Sequence, residues 1–490
     1  MTLTALQMKA AEEALFRQGQ SPEGLMEVAG EGVARCIRQF FPTPGTVAVY
    51  FGKGHNGGDA LVAAQHLRSS GWRVLLRHAS SQDDLAPLTR LYLDLLKDVD
   101  VVESVPQVRG TLLILDGLLG IGATGAARGA IAELITEMNR IRSERGAFTV
   151  AVDLPSGLDA SSGSVTSPCV QADLTVTLGA VKTGLLTDAS TIVVGRLALV
   201  QLPGITLAGG DPARASTSID LRRLIPLRNF DSFKGAYGRI GILAGSPGYL
   251  GAARLCSAAA VHSGAGLVTL YATPDCYELL AAACIPEVMV RKVDSYTGVL
   301  QERNDVLAIG PGLGREHDGE LRGLVAEAPV PCIVDADALN AVSMDPTILA
   351  GCAAPRLLTP HPGEMERLFP RSGRSRRDWG NDFVSRYPVT LLLKGARTVI
   401  VQREQPPVFN VTGNPGMGSG GMGDVLTGLC AALLGGGQTP HDAAMLGAWL
   451  CGRAAEIAIF NDNDSQESLS ATSVMDHLGA AFSSLRDGEF

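Results

Sequence analysis

Asp424 closes the run Asn414-Pro415-Gly416-Met417-Gly418-Ser419-Gly420-Gly421-Met422-Gly423-Asp424, and an apolar helical pattern (Val425, Leu426, Leu429, Leu433) follows at once. A glycine loop running into a helix start aims backbone N–H groups, and the positive end of the helix dipole, at one spot that suits a phosphate. A carboxylate in the first turn then stands close enough to take a proton from a hydroxyl held beside that phosphate. The same residues also read as a plain glycine turn with Asp424 as the helix N-cap. The loop alone is too short a motif to separate the two.

A second set of polar residues lies in the first half. Thr46 to Phe51 reads as a buried strand, followed by Gly52-Lys53-Gly54-His55-Asn56-Gly57-Gly58-Asp59 and a helix over 60–67. A strand over 111–115 ends in Asp116, ahead of a glycine-rich loop to Gly125. The strand 148–152 ends in Asp153-Leu154-Pro155-Ser156-Gly157, and the strand 174–178 is followed by Lys182. Strand, glycine turn and helix form the first unit of a nucleotide-binding α/β domain, although neither the Rossmann register nor a Walker loop is present. In an open parallel sheet the strand tips share one edge, where ligands bind. Asp116 or Asp153 taken singly reads equally as a loop-capping carboxylate. Together with Asn56 and Ser156 they make an oxygen-rich cluster suited to a cation or a polar ligand.

The second half repeats the logic. Strands over 239–244, 305–309, 332–334, 356–359 and 389–393 run into loops bearing Gly245-Ser246-Pro247-Gly248, Gly310-Pro311-Gly312, Asp335-Ala336-Asp337, Pro360-His361-Pro362-Gly363-Glu364 and Lys394-Gly395-Ala396-Arg397-Thr398, and a further strand over 267–271 follows Gly264-Ala265-Gly266. A hairpin begins at 398–402. The alanine-rich helix over 252–263 reads as close packing against a sheet. His361 alone reads as a packed loop histidine, and Lys394 alone as a solvated lysine.

The whole chain bounds these readings. Its 490 residues suffice for two or three domains, and 46% hydrophobic with 19% charged residues is ordinary globular composition. A net charge of −9 without a basic block argues against nucleic acid. Nine scattered cysteines, none in a Cys-x-x-Cys pair, read as reduced thiols. The N-terminus reads as helix over 4–41, with Ser21-Pro22 as a cap and first turn, and not as a secretory signal. No run reaches the length of a membrane span. The expected location is the cytoplasm. Residues 201–217 loosen into a Pro-, Gly- and Ala-rich linker.

GKGHNGGDALVAAQHL, LDGLLGIGATG, VAVDLPSGLDA and LGAVKTGLLT together resemble the NAD(P)H-hydrate epimerase family, over residues 1–205. The resemblance implies a Rossmann-like three-layer domain with a potassium ion held by Asn56, Asp116 and Ser156. It further implies that His55, Asn56, Gly57, Gly58, Asp59, Gly120, Ile121, Gly122, Ala123, Thr124, Gly125, Ala126 and Asp153 line the substrate. Asp116 is the expected proton-transfer residue, with Lys182 as a second candidate. Here His55 and Ala60 replace the outer residues of the usual Asn-Asn-Gly-Gly-Asp-Gly.

AGSPGYLGAARL, IGPGLG, DADALN, TPHPGE, LLKGART and NPGMGSGGMGDVLTG, in this order, resemble the NAD(P)H-hydrate dehydratase family over residues 216–490, implying a ribokinase-like α/β domain. Lys394, Gly395, Ala396, Arg397, Thr398 and Gly423 would then contact the nucleotide, ADP or ATP with magnesium. Ala252, Gly312, His361 and Asp424 would contact the hydrate. Gly418-Ser419 stand where the family usually has Ala-Thr. The expectation is a bifunctional repair enzyme acting on hydrated NADH and NADPH, catalysed by Asp116 and Asp424, in a homo-oligomer. Its rival is a vitamin-precursor kinase fused to a non-catalytic nucleotide-binding module.

Overall fold

The computed structural model describes residues 1–79, 81–225 and 227–490. The chain divides into two compact units, Met1–Thr217 together with Phe490, and Ser218–Glu489.

In the first unit a capping box opens helix Ala5–Arg17: the Thr4 hydroxyl accepts from Gln7 N, and Gln7 Oε1 accepts from Thr4 N at 2.9 Å. Ser21 caps helix Pro22–Phe40, with proline in its first turn, as the Ser-Pro pair predicts. Seven strands follow: β1 (Thr46–Phe51), β2 (Arg73–Arg77), β3 (Asp100–Val101), β4 (Leu112–Gly117), β5 (Phe148–Val152), β6 (Leu174–Leu178) and β7 (Arg196–Val200). They form one parallel sheet in the order β3-β2-β1-β4-β5-β6-β7. Residues of β1, β4 and β6 are buried throughout, so these strands are mostly apolar, with Thr46, Asp116, Thr175 and Thr177 as their buried polar members. The chain builds outward through β2 and β3, then crosses back to β4. The switch point therefore falls between β1 and β4, where an open α/β sheet leaves a ligand crevice.

One expectation is corrected here. The helix after β1 spans His55–Ser69 and does not wait until residue 60. Gly54 takes the N-cap, so Asn56-Gly57-Gly58-Asp59 forms the first turn. A side chain at Gly57 would strike the Gly52 carbonyl, and one at Gly58 would lie 2.6 Å from Met26. Close packing onto the end of β1 and onto helix Pro22–Phe40 outweighs the low helix propensity of two glycines. The expected linker also holds regular structure, a short strand β8 (Arg214–Ser216).

The second unit contains β9 (Arg239–Leu243), β10 (Leu267–Ala272), β11 (Val288–Lys292), β12 (Val306–Ile309), β13 (Cys332–Val334), β14 (Arg356–Leu358), β15 (Thr390–Leu393), β16 (Val399–Gln402) and β17 (Val408–Asn410). Their order is β11-β10-β9-β12-β13-β14-β15-β16-β17, parallel up to β15 and antiparallel from β15 to β17. The switch point lies between β9 and β12. Helix Leu250–His262 packs against helix Met422–Gly435 so closely that a side chain at Gly428 would meet the Cys256 carbonyl.

Contrary to the expected lack of any such segment, helix Pro440–Phe460 is long and apolar enough to cross a membrane by length and composition. It is a core helix of this unit, with 78% of its most apolar window buried. The nine cysteines are thiols, seven of them buried.

Candidate active sites

In the first unit the β1–β4 crevice gathers the expected cation ligands around one loop. Asp116, fully buried at the tip of β4, accepts from the Ser156 hydroxyl at 2.7 Å, from Ser156 N at 2.8 Å and from Leu118 N at 3.2 Å. The Ser156 hydroxyl in turn accepts from Leu119 N at 2.9 Å, and Asn56 Nδ2 donates to the Leu119 carbonyl at 3.0 Å. Burial pushes the Asp116 carboxyl up to about 6, although the Ser156 and Leu118 donors pull the other way. Carboxylate, hydroxyl, amide and carbonyl oxygens around residues 116–120 form a hard donor set of the kind a potassium ion takes.

Beside it lies a second charged group. Asp153 sits at φ +67 at the end of β5, with its carboxylate accepting from Leu178 N at 3.0 Å and from Lys182 Nζ. Lys182, 1% exposed, also donates to the Leu178 carbonyl at 2.7 Å. Burial raises Asp59 well above the ordinary carboxylate range, with Asp153 and Glu12 adding to the rise. Burial likewise raises Glu12, which Lys182 opposes. His55 is exposed, and residues 122–126 form an exposed loop in which Gly125 has φ +76. Gly120, Ala123 and Gly125 line a small cleft with Pro155 and Gly157, while Ile121 packs on Leu3, Met8 and Ala180.

In the second unit the β9–β12 switch point brings Ala252 and Gly312 together. Gly312 has φ +63, and a Cβ on it would lie 2.9 Å from Ala252 and 3.0 Å from Tyr249. Asp424 is the third residue of helix Met422–Gly435. The N-cap is Gly421, at φ +88 and without a side-chain cap, so the reading of Asp424 as the N-cap falls. Burial, with Asp335 and Asp337 nearby, lifts the Asp424 carboxyl to about 6 while Lys394 draws it down. Lys394 is not a solvated lysine. Its Nζ donates to Asp335 Oδ1 at 2.8 Å, lies 4.0 Å from Glu364, and would be 3.3 Å from a Cβ at Gly423. Burial lowers the Lys394 ammonium, but Asp335 and Glu364 outweigh it and the net direction is up. Asp335 also accepts from the Thr427 hydroxyl at 2.8 Å. Ala336 beside it has φ +50, local strain of the kind that collects at functional sites.

His361 caps helix Pro362–Leu368. Its Nδ1 accepts from Gly363 N at 3.0 Å and Glu364 N at 3.3 Å, while Glu364 Oε2 accepts from His361 N at 2.8 Å. Burial raises the Glu364 carboxyl, against Lys394. Gly395 and Ala396 are exposed at a turn tip, whereas Arg397 is buried. Glu12, Asp335, Glu364 and Thr427 were not singled out from sequence. Three of them sit inside quoted motifs; Glu12 lies on a helix with no local signal. Among the described residues no three His, Cys, Asp or Glu side chains converge as a metal centre.

Residues 240–478 match the family model described as NAD(P)H-hydrate dehydratase, and residues 22–184 match that of the YjeF-related protein N-terminus. A bifunctional NAD(P)H-hydrate repair enzyme from Moorella thermoacetica is 37% identical over 471 residues, covering 89% of this chain and 88% of its own. Its namesake from Escherichia coli is 36% identical over 448 residues, covering 88% and 84%. A solved ADP/ATP-dependent NAD(P)H-hydrate dehydratase from Bacillus subtilis, co-crystallised with ATP/Mg2+, is 28% identical with a TM-score of 0.49, covering 56% of this chain and 98% of that one. With such identity along nearly nine-tenths of its length, the chain belongs to the family of bifunctional NAD(P)H-hydrate repair enzymes, an epimerase unit joined to an ADP/ATP-dependent dehydratase unit.

Proposed function

We propose that the β1–β4 crevice interconverts the R and S hydrates of NADH and NADPH, and that the second unit returns the S hydrate to the dihydronicotinamide. Hydroxide is a poor leaving group, so the hydroxyl is first converted to a phosphate ester. Asp424 takes the hydroxyl proton; the oxygen attacks the terminal phosphoryl of ADP or ATP, and the shortened nucleotide departs. The ester C–O bond then breaks, the neighbouring ring carbon loses a proton, and the double bond returns with release of phosphate. The amides of Gly420 to Gly423 stabilise the charge on the transferring group. Lys394 to Thr398 hold the nucleotide, and Ala252, Gly312 and His361 hold the hydrate. Magnesium bound with the nucleotide would neutralise its phosphates.

In the first unit Asn56, Asp116 and Ser156 would hold potassium, and Asp116 moves the proton at the epimerised carbon. His55 to Asp59, Gly120 to Ala126 and Asp153 line the hydrate there. The reading places the enzyme in the cytoplasm as a homo-oligomer, with neither nucleic acid nor membrane as partner.

The observation that carries the second step is the half-buried Asp424 carboxyl on an uncapped glycine helix start, facing Lys394 and Asp335. The test supplies mixed hydrate epimers with ADP or ATP and magnesium and follows dihydronicotinamide absorbance together with free phosphate. Full recovery of both epimers is expected. No recovery with either nucleotide, or a stable phosphorylated product, overturns the reading in favour of a kinase.

A further inference from the structure

Arg376 opens helix Arg376–Arg386, whose N-cap Ser375 accepts from Asp378 N at 3.1 Å. Its side chain reaches the exit of β15. Nη1 donates to the Arg397 carbonyl at 2.9 Å, and Nη2 donates to the carbonyls of Leu393 at 3.0 Å and Lys394 at 2.8 Å. The exit from β15 is therefore folded around one guanidinium.

Gly395 completes the seat. A Cβ there would lie 2.6 Å from Nη2 and 2.8 Å from the central guanidinium carbon, so any side chain at this position would push the guanidinium off its seat. Thr398 ties the turn from the other side: its hydroxyl donates to the Gly395 carbonyl at 3.1 Å and accepts from Gly395 N at 3.3 Å. The tip, Gly395 and Ala396, faces outward while both ends are anchored. A planar cation with a fork of donors can satisfy three convergent carbonyls at once; a lysine, with one charged centre, cannot do so in the same geometry.

We infer that Arg376 is a positioning residue for the nucleotide: without touching it, Arg376 holds the 393–398 turn in the shape that receives it. The inference rests on the reading of Lys394 to Thr398 as nucleotide contacts. Apparent affinity scales with the fraction of molecules already in the competent shape, so losing the clamp weakens nucleotide binding without altering the chemical step.

The experiment uses the full chain and compares Arg376→Gln and Arg376→Lys with the parent. Steady-state dehydration supplies separate KM values for nucleotide and hydrate, and ADP is titrated calorimetrically without hydrate. In Arg376→Gln the nucleotide KM and the ADP dissociation constant should both rise about tenfold. Its hydrate KM, and its kcat at saturating nucleotide, should stay within about twofold of the parent. Arg376→Lys should recover part of the affinity, and it serves in place of the Gln variant if that one fails to fold. Unchanged nucleotide affinity in both variants overturns the inference. So does a fall in kcat and a rise in hydrate KM as large as the change in nucleotide KM. A parent that binds ADP but does not dehydrate the hydrate instead refutes the reaction proposed above, and the calorimetric comparison still decides the role of Arg376.

Discussion

Replacing Asp424 with Asn should separate catalysis from stability, because the two run in opposite directions at this position. The helix start relies on Gly421 for its cap, so Asn removes no capping bond. What it removes is a carboxylate whose ionised form burial disfavours. Moving the carboxyl from 3.8 to about 6 costs the folded protein on the order of 3 kcal/mol once the group is ionised, at about 1.36 kcal/mol per pH unit. The sign follows from the direction. A raised folded value means the protonated group is favoured by folding below pH 3.8, and that contribution is lost as pH rises through about 6. At pH 7.5 the Asn variant should therefore melt several degrees above the parent, and at pH 3.5 the difference should vanish. Dehydration of the S hydrate should meanwhile fall by about a hundredfold to ten-thousandfold, the usual consequence of losing a general base. Phosphate release with saturating ADP measures the first effect, and scanning calorimetry at the two pH values measures the second. Turnover within a few-fold of the parent, or a melting point lowered at pH 7.5, would refute the assignment.

Dehydration by the parent should rise about tenfold between pH 5 and pH 7 and then level off, as Asp424 ionises around pH 6; a flat profile of kcat/KM speaks against a carboxylate base. Asp116→Asn should slow epimerisation while leaving dehydration of the S hydrate nearly unchanged, and exchange of potassium for a bulky organic cation should slow the same activity; chromatographic separation of the epimers over time checks both. Lys182→Met leaves Asp153 buried without its cation, with Asp59 and Glu12 close by. Breaking a buried pair typically costs about 3–5 kcal/mol, so the melting midpoint should drop.

Some of this was legible because the physics is local. Thr46–Phe51, Phe148–Val152, Leu174–Leu178 and Cys332–Val334 read at their observed bounds, since strands packed on both faces are built mainly of apolar and β-branched residues. The two-residue β3 and the Arg- and Lys-bearing edge strand β11 offered no such run. The early start of helix His55–Ser69 was hidden because two glycines that favour a turn locally are required by a contact with Gly52 and Met26. Asp424 and Asp116 stood out because each follows a strand or glycine loop. The His361 cap did not, since His-x-x-Glu departs from the Ser/Thr-x-x-Glu pattern. Arg376 and Glu12 act on residues far along the chain, and no spacing rule reaches that distance.

The buried thiols described above have a practical consequence. Burial raises the thiols of Cys169, Cys332 and Cys451 to about 12 each, and pushes Cys256 and Cys430 upward as well. The thiolate is the reactive species, so these side chains are nearly inert toward alkylating and oxidising agents while the fold is closed. Their labelling rates then report how often the protein opens. Cys36 and Cys169 lie in the first unit and the other seven in the second. One mass-spectrometric time course with iodoacetamide would thus record the breathing of each unit in the same tube, and show whether a ligand given to one unit slows the opening of the other.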